Sequence, residues 1–221
     1  MTAKQTATGP HSGMPVLSWG SPLASANAAM IMMHGRGASA EDILGLAPEL
    51  QAPSVAFLAP QAAGHTWYPY PFLSAIERNE PGISSALSVL AAIDSQVVEA
   101  GIPSNAVFIL GFSQGACLAL EYGARNARRF GGIIGLSGGL IGPDGTPRDY
   151  SGSMDGAPAF LGCSDIDPHI PKARVQLSAD VFRRLGGSVT ERIYSGMGHT
   201  INDDELEAVR SMLRPFDKSK P

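Results

Sequence analysis

The chain is short of cysteine: its 221 residues include two, Cys117 and Cys163, far apart and without a CxxC spacing. That pattern excludes a disulfide framework and offers no zinc-ligand set, and two thiols of this kind suit a reducing cytoplasm. Runs of one charge are also lacking. Sixteen Lys and Arg against 20 Asp and Glu give a formal charge of −4, and without a basic stripe nucleic acid is not an expected partner. No apolar run approaches the ~18 residues that a membrane-crossing helix takes. The polar N-terminus has no apolar segment of the kind a secretion signal requires. Residues 1–13 are therefore expected to form a flexible arm ahead of a single domain over 14–221. Repeats, low-complexity tracts and composition shifts are missing too, so nothing divides that domain.

Apolar residues make up 44% of the chain and charged ones 16%, the balance of a globular enzyme of a size that buries roughly 70% of its unfolded surface. Short, nearly continuous apolar runs predict strands at 28–33, 55–59, 106–110, 132–136 and 157–161, with a further strand at 188–194. Continuous apolarity means burial on both faces, the condition of a parallel sheet covered by helices. Between the runs lie helical patterns. Ser39 and Asp42 mark the start of a helix reaching about Leu50, and Ile83, Leu87, Leu90, Ile93 and Val97 carry one from Gly82 to Ala100. Others fit 114–126, 172–185 and 203–213. Strand and helix alternate throughout, which predicts an α/β domain with a mainly parallel central sheet and helices on both faces. Two irregular stretches, 61–81 and 140–156, follow strands, where open α/β sheets bind ligands; both are candidate pocket walls. The first contains Trp67, Tyr68, Tyr70 and Phe72.

Gly111-Phe112-Ser113-Gln114-Gly115 falls between the 106–110 strand and the 114–126 helix. A G-x-S-x-G string acquires meaning at such a strand-to-helix turn, because the turn must be sharp enough to push the serine hydroxyl out of the backbone and the glycines remove side chains that would collide. Ser113 is the candidate nucleophile. Cys117, one helical turn on, reads as a small packed core residue. A serine hydroxyl needs a base, and of the five histidines His199 is best placed, after the last strand and before the last helix. In this kind of site an acid precedes the histidine in the chain. Asp165 and Asp167 both fit, with Asp167 favoured because Pro168 restricts it to an extended backbone. A second oxyanion donor is expected after the 28–33 strand, where glycines flank Arg36; the donors are then the backbone N–H groups of Arg36 and Gln114. The Arg36 side chain reads as a solvated surface group, or else as a contact for an acidic substrate.

In combination, His34-Gly35-Arg36-Gly37, the serine pentapeptide, Asp165-Ile166-Asp167-Pro168-His169-Ile170-Pro171 and Gly196-Met197-Gly198-His199 resemble the phospholipase/carboxylesterase family of α/β-hydrolases, which includes the acyl-protein thioesterases. The resemblance spans Ala28 to the C-terminus. It implies an α/β-hydrolase fold without a large lid, the Asp before Pro, Asp167, as the acid, and Arg36 and Gln114 as the oxyanion donors. Two departures bear on the substrate. Relatives with thioesterase activity commonly carry an aliphatic residue where this chain has Arg36, and their loop is less bulky than Trp67-Tyr68-Pro69-Tyr70-Pro71-Phe72. A crowded aromatic wall points to a small-molecule substrate, a short acyl or aryl ester, hydrolysed through an acyl-enzyme without metal or organic cofactor. An acyl thioesterase or lactone hydrolase is the nearest alternative. A non-catalytic ligand receptor on the same scaffold is the alternative of another class, and a peptidase ranks last for want of a domain that would select peptides. Nothing in the sequence decides between a monomer and a homodimer.

Overall fold

A computed structural model of the protein describes residues 7–217. Seven strands form one sheet in the order β1-β3-β2-β4-β5-β6-β7: β1 Val16–Gly20, β2 Ala28–Met33, β3 Val55–Pro60, β4 Val107–Phe112, β5 Gly132–Leu136, β6 Pro158–Ser164 and β7 Ser188–Tyr194. All neighbours are parallel except β1, which runs antiparallel to β3. The six residues of β2 and the five of β5 are all buried, as strands covered on both faces must be. This is the architecture of an α/β-hydrolase, with no lid domain among the described residues.

Among the described residues five α-helices cover the sheet: α1 Ala40–Leu44, α2 Gly82–Glu99, α3 Gln114–Arg125, α4 Lys172–Arg184 and α5 Asp203–Leu213. Along β5, Ile133 and Gly135 face α3 while Gly132 faces Met212 of α5, which puts those two helices on opposite faces. No helix among the described residues is long and apolar enough to cross a membrane.

The chain runs from β2 outward to β3, then crosses to the other side of β2 to form β4. At the carboxyl ends of β2 and β4 the connections therefore leave in opposite directions, the place where open α/β sheets bind ligands.

Three expectations are corrected. The first helix ends at Leu44, because Gly45 closes it and the turn from Pro48 to Leu50 is a separate 3₁₀ segment. β1 is an unanticipated strand; four of its five residues are exposed, so it lacks a buried strand's continuous apolarity. Residues 8–13 are docked rather than flexible. The Thr8 N–H donates to Ser88 Oγ, the Thr8 carbonyl accepts from Ser85 Oγ at 2.7 Å, and His11 is buried. Hydrogen bonds to serines on α2 and through the buried His11 ring hold this segment, so hydropathy gave no sign of it. The expected arm's residues 1–6 lie outside the described residues.

Candidate active site

Ser113 stands between the last residue of β4 and the first of α3 with φ +55° and ψ −119°. A non-glycine residue in that region stores on the order of 1–3 kcal/mol of backbone strain, and close packing holds it there. A Cβ on Gly111 would come within 2.2 Å of the Gly115 carbonyl oxygen, and one on Gly115 within 2.1 Å of the Met33 carbonyl oxygen. Only glycine fits at either position, so the turn and β2 can approach each other.

The hydroxyl that this turn presents lies 2.8 Å from His199 Nε2, and His199 Nδ1 lies 2.7 Å from Asp167 Oδ2. Asp167 is buried by its side chain, which pushes its carboxyl up. Hydrogen bonds from His199 and from the backbone N–H groups of His169 and Ile170 outweigh that effect and bring it below the ordinary carboxylate range. Asp167 is thus an ionised acceptor, Nδ1 must donate to it, and Nε2 is left with a lone pair for the serine proton. The second oxygen, Oδ1, accepts from His169 N at 2.8 Å and Ile170 N at 3.0 Å, which fixes the carboxylate's orientation. The His199 ring packs against Phe112 at 5.0 Å and meets the edge of His169 at 4.9 Å.

Asp165 has a different task. Its Oδ1 accepts from Gly196 N at 2.8 Å, and the Ser164 hydroxyl donates to the Met197 carbonyl, so these two residues tether the loop that carries His199. Neither the Arg36 nor the Gln114 backbone N–H has a protein acceptor among the described residues. Gln114 opens α3, where N–H groups are unpaired by construction and the helix dipole is positive.

A cavity of about 350 Å³ opens beside Ser113, walled by Tyr68, Phe72, Cys117, Ile170 and His199, with Arg36 at its rim. Larger cavities exist; one of about 610 Å³ lies against β7 and α5, and none of the site residues lines it. Of the four expected wall aromatics, Tyr68 and Phe72 line the cavity, while Trp67 and Tyr70 do not. Trp67 is fully buried beneath the loop, donating Nε1–H to the His34 carbonyl at 2.9 Å, with the His34 and His11 rings 4.9 and 5.2 Å away. Tyr70 is 42% exposed and lies under the Arg78 guanidinium. Residues 140–156 also stay out of the cavity; Gly142 N–H donates to the Phe72 carbonyl and so supports the wall from behind.

The Arg36 side chain is neither a free surface group nor unattached in the cavity: it donates to the carbonyls of Tyr68, Pro69 and Tyr70 at 2.9, 2.9 and 3.0 Å. Cys117 is buried, and burial pushes its thiol to about 12, which leaves it no thiolate with which to compete with Ser113. Sequence reasoning missed the second cysteine's position. Cys163 Sγ lies 3.7 Å from Asp167 Oδ2, a contact that its location at the end of a strand preceding the acid could have suggested.

A family model for phospholipases/carboxylesterases matches residues 19–216. Among solved structures, a phospholipase/carboxylesterase from Dyadobacter fermentans superposes with a TM-score of 0.88 at 37% identity, over 95% of this chain and 98% of that one. An acyl-protein thioesterase 1 of Gibberella zeae is 32% identical over 142 residues, 62% of this chain and 60% of that protein, so the match spans three fifths of the relative's length. One from Yarrowia lipolytica is 26% identical over 86% of this chain and 92% of its own length.

Proposed function

The chain belongs to the phospholipase/carboxylesterase family, and on that premise we propose that it is a serine esterase hydrolysing small carboxylic esters, with short acyl or aryl groups, through an acyl-enzyme. The observation that carries this reading is the bridge made by His199, 2.8 Å from Ser113 Oγ on one side and 2.7 Å from Asp167 Oδ2 on the other.

In this mechanism Ser113 Oγ attacks the ester carbonyl carbon while its proton passes to His199 Nε2. The new C–O bond converts the carbonyl oxygen into an oxyanion, which accepts hydrogen bonds from the Arg36 and Gln114 backbone N–H groups; one donor of this kind is worth roughly 3–4 kcal/mol in the transition state. Asp167 holds the imidazole in the tautomer that can accept, and stabilises it once protonated. Collapse breaks the bond to the leaving alcohol, whose oxygen takes the proton from His199. Water, deprotonated by the same Nε2, then attacks the acyl-serine, and the acid departs as Ser113 recovers its proton. Every step uses groups of this chain and water.

The size preference is supported by the cavity: about 350 Å³ is at the low end of the ~300–1,000 Å³ range of ligand pockets, and its wall is of large, buried aromatic rings. Acyl thioesters are the second reading, favoured by the names of the Gibberella and Yarrowia relatives, since the acyl-enzyme chemistry is shared. The test is a matched panel of oxygen esters and thioesters from acetyl to dodecanoyl, read as kcat/KM. Highest values on acetyl to butanoyl oxygen esters are expected. A preference of orders of magnitude for long-chain thioesters would refute the small-ester reading.

A further inference from the structure

The loop from Trp67 to Phe72 is unusual in its anchoring: each of its six carbonyls accepts a hydrogen bond from outside its own backbone run. His11 Nε2 lies 2.8 Å from the Trp67 carbonyl. Arg36 donates to Tyr68, Pro69 and Tyr70 in succession, and Gln114 Nε2 adds a second bond to Tyr68 at 2.8 Å. Asn79, fully buried, donates to Pro71 and accepts from Tyr70 N–H at 2.8 Å, and Gly142 N–H serves Phe72. Irregular backbone in a surface loop ordinarily turns many of these groups to water. This one is tied to five separate segments of the chain.

Among these anchors Arg36 differs in place and chemistry. His11, Asn79 and Gln114 are buried, whereas Arg36 is exposed; it lines the cavity, as Gln114 does, but bonds three successive carbonyls of the loop. No carboxylate lies within ion-pair distance of it among the described residues. Its planar fork fits three successive carbonyls, which the single ammonium of lysine cannot match. The wall residues Tyr68, Pro69, Pro71 and Phe72 all belong to this loop. The backbone of Arg36, meanwhile, is an oxyanion donor in the reading above, so one residue spans the distance between the reacting carbonyl and the wall that faces it.

We propose that the Arg36 side chain is a positioning residue that sets substrate size: by clasping residues 68–70 it holds the aromatic wall at a fixed distance from Ser113 and keeps the acyl pocket short. The inference rests on the esterase reading and adds to it the residue that enforces the size limit. It assigns the guanidinium to the loop rather than to an anionic substrate.

Arg36→Leu and Arg36→Lys test it in the full-length protein with two readouts. The first is the ratio of kcat/KM for octanoyl over acetyl esters of one chromogenic phenol. The second, independent of turnover, is amide hydrogen exchange in the peptide covering residues 67–73. Arg36→Leu is expected to raise the octanoyl-to-acetyl ratio about tenfold and to speed exchange in that peptide by a similar factor, with Arg36→Lys intermediate. If Arg36→Leu does not fold, Arg36→Lys carries the comparison, with a shift of about threefold. Ratio and exchange both within twofold of the native protein would overturn the proposal. So would a loss confined to carboxylate-bearing esters with the neutral ratio unchanged, which would make Arg36 a substrate-anion contact. A native protein that hydrolyses no ester, while exchange still accelerates in the variant, would overturn the esterase reading and the size limit with it, leaving only the clasp.

Discussion

Replacing Asp167 by Asn should lower kcat by about four orders of magnitude, for a reason that can be read from three hydrogen bonds. Asp167 Oδ1 accepts two backbone N–H groups, from His169 and Ile170. An amide placed there must point its oxygen at those two donors, because its NH₂ group facing them would leave three donors in conflict. The NH₂ then occupies the Oδ2 position, 2.7 Å from His199 Nδ1, and Nδ1 has to become the acceptor. The ring's proton moves to Nε2, the atom 2.8 Å from Ser113 Oγ, which can no longer take the serine proton. Holding a histidine in the wrong tautomer costs about 10⁴ in kcat in serine hydrolases. Asp165→Asn should cost far less, under about tenfold. Its oxygen can still accept from Gly196 N–H, and the bond weakens only by the loss of charge. The assay is steady-state hydrolysis of a short chromogenic ester, with circular dichroism to establish that both variants fold. Asp167→Asn within tenfold of the native enzyme, or Asp165→Asn the more damaging of the two, would take the role of acid away from Asp167.

Two further outcomes follow from groups near the site. Burial pushes the Glu205 carboxyl from an ordinary 4.5 to about 7, so between those pH values the unfolded chain has released a proton that the folded chain keeps, and stability falls as pH rises through the window. At about 1.4 kcal/mol per pH unit this amounts to roughly 3 kcal/mol. Glu205→Gln should remove that slope in denaturant titrations from pH 4.5 to 8, and a parallel pH dependence in variant and native protein would contradict it. Gly115→Ala forces a methyl group to within 2.1 Å of the Met33 carbonyl oxygen. It should lower the melting temperature by on the order of 10 °C and displace the serine turn; a melting temperature within 2 °C of native would show that the turn has slack.

Five of the seven strands and the strand-to-helix turn at Ser113 were legible because buried parallel strands leave a continuous apolar signature and the turn has glycines where only glycine fits; β7, with no buried residue, was legible only from its place between the last two helices. Chain order made Asp167 and His199 the candidate partners of Ser113, with Pro168 favouring Asp167 over Asp165, and the three side chains do come together. What escaped the sequence was held by hydrogen bonds between distant segments. The N-terminal residues dock through Ser85 and Ser88 and through His11, whose ring N–H reaches the Trp67 carbonyl. Such polar pairing has no periodicity to detect. Trp67, expected in the pocket as a large aromatic, is drawn beneath it because its indole N–H finds the His34 carbonyl. Arg36, taken for a surface group or an anion contact, is occupied by three carbonyls that lie 32 to 34 residues away. Residue type alone does not tell whether an arginine will meet water, a substrate or a backbone.

Covalent labelling shows directly whether Ser113 is a nucleophile activated by His199. A fluorophosphonate incubated with the native protein should form one adduct, located on Ser113 by peptide mass spectrometry, with esterase activity lost in step. His199→Ala should slow that labelling by orders of magnitude while remaining folded. No adduct on Ser113 in folded protein, or equal labelling rates with and without His199, would contradict an activated serine at this position.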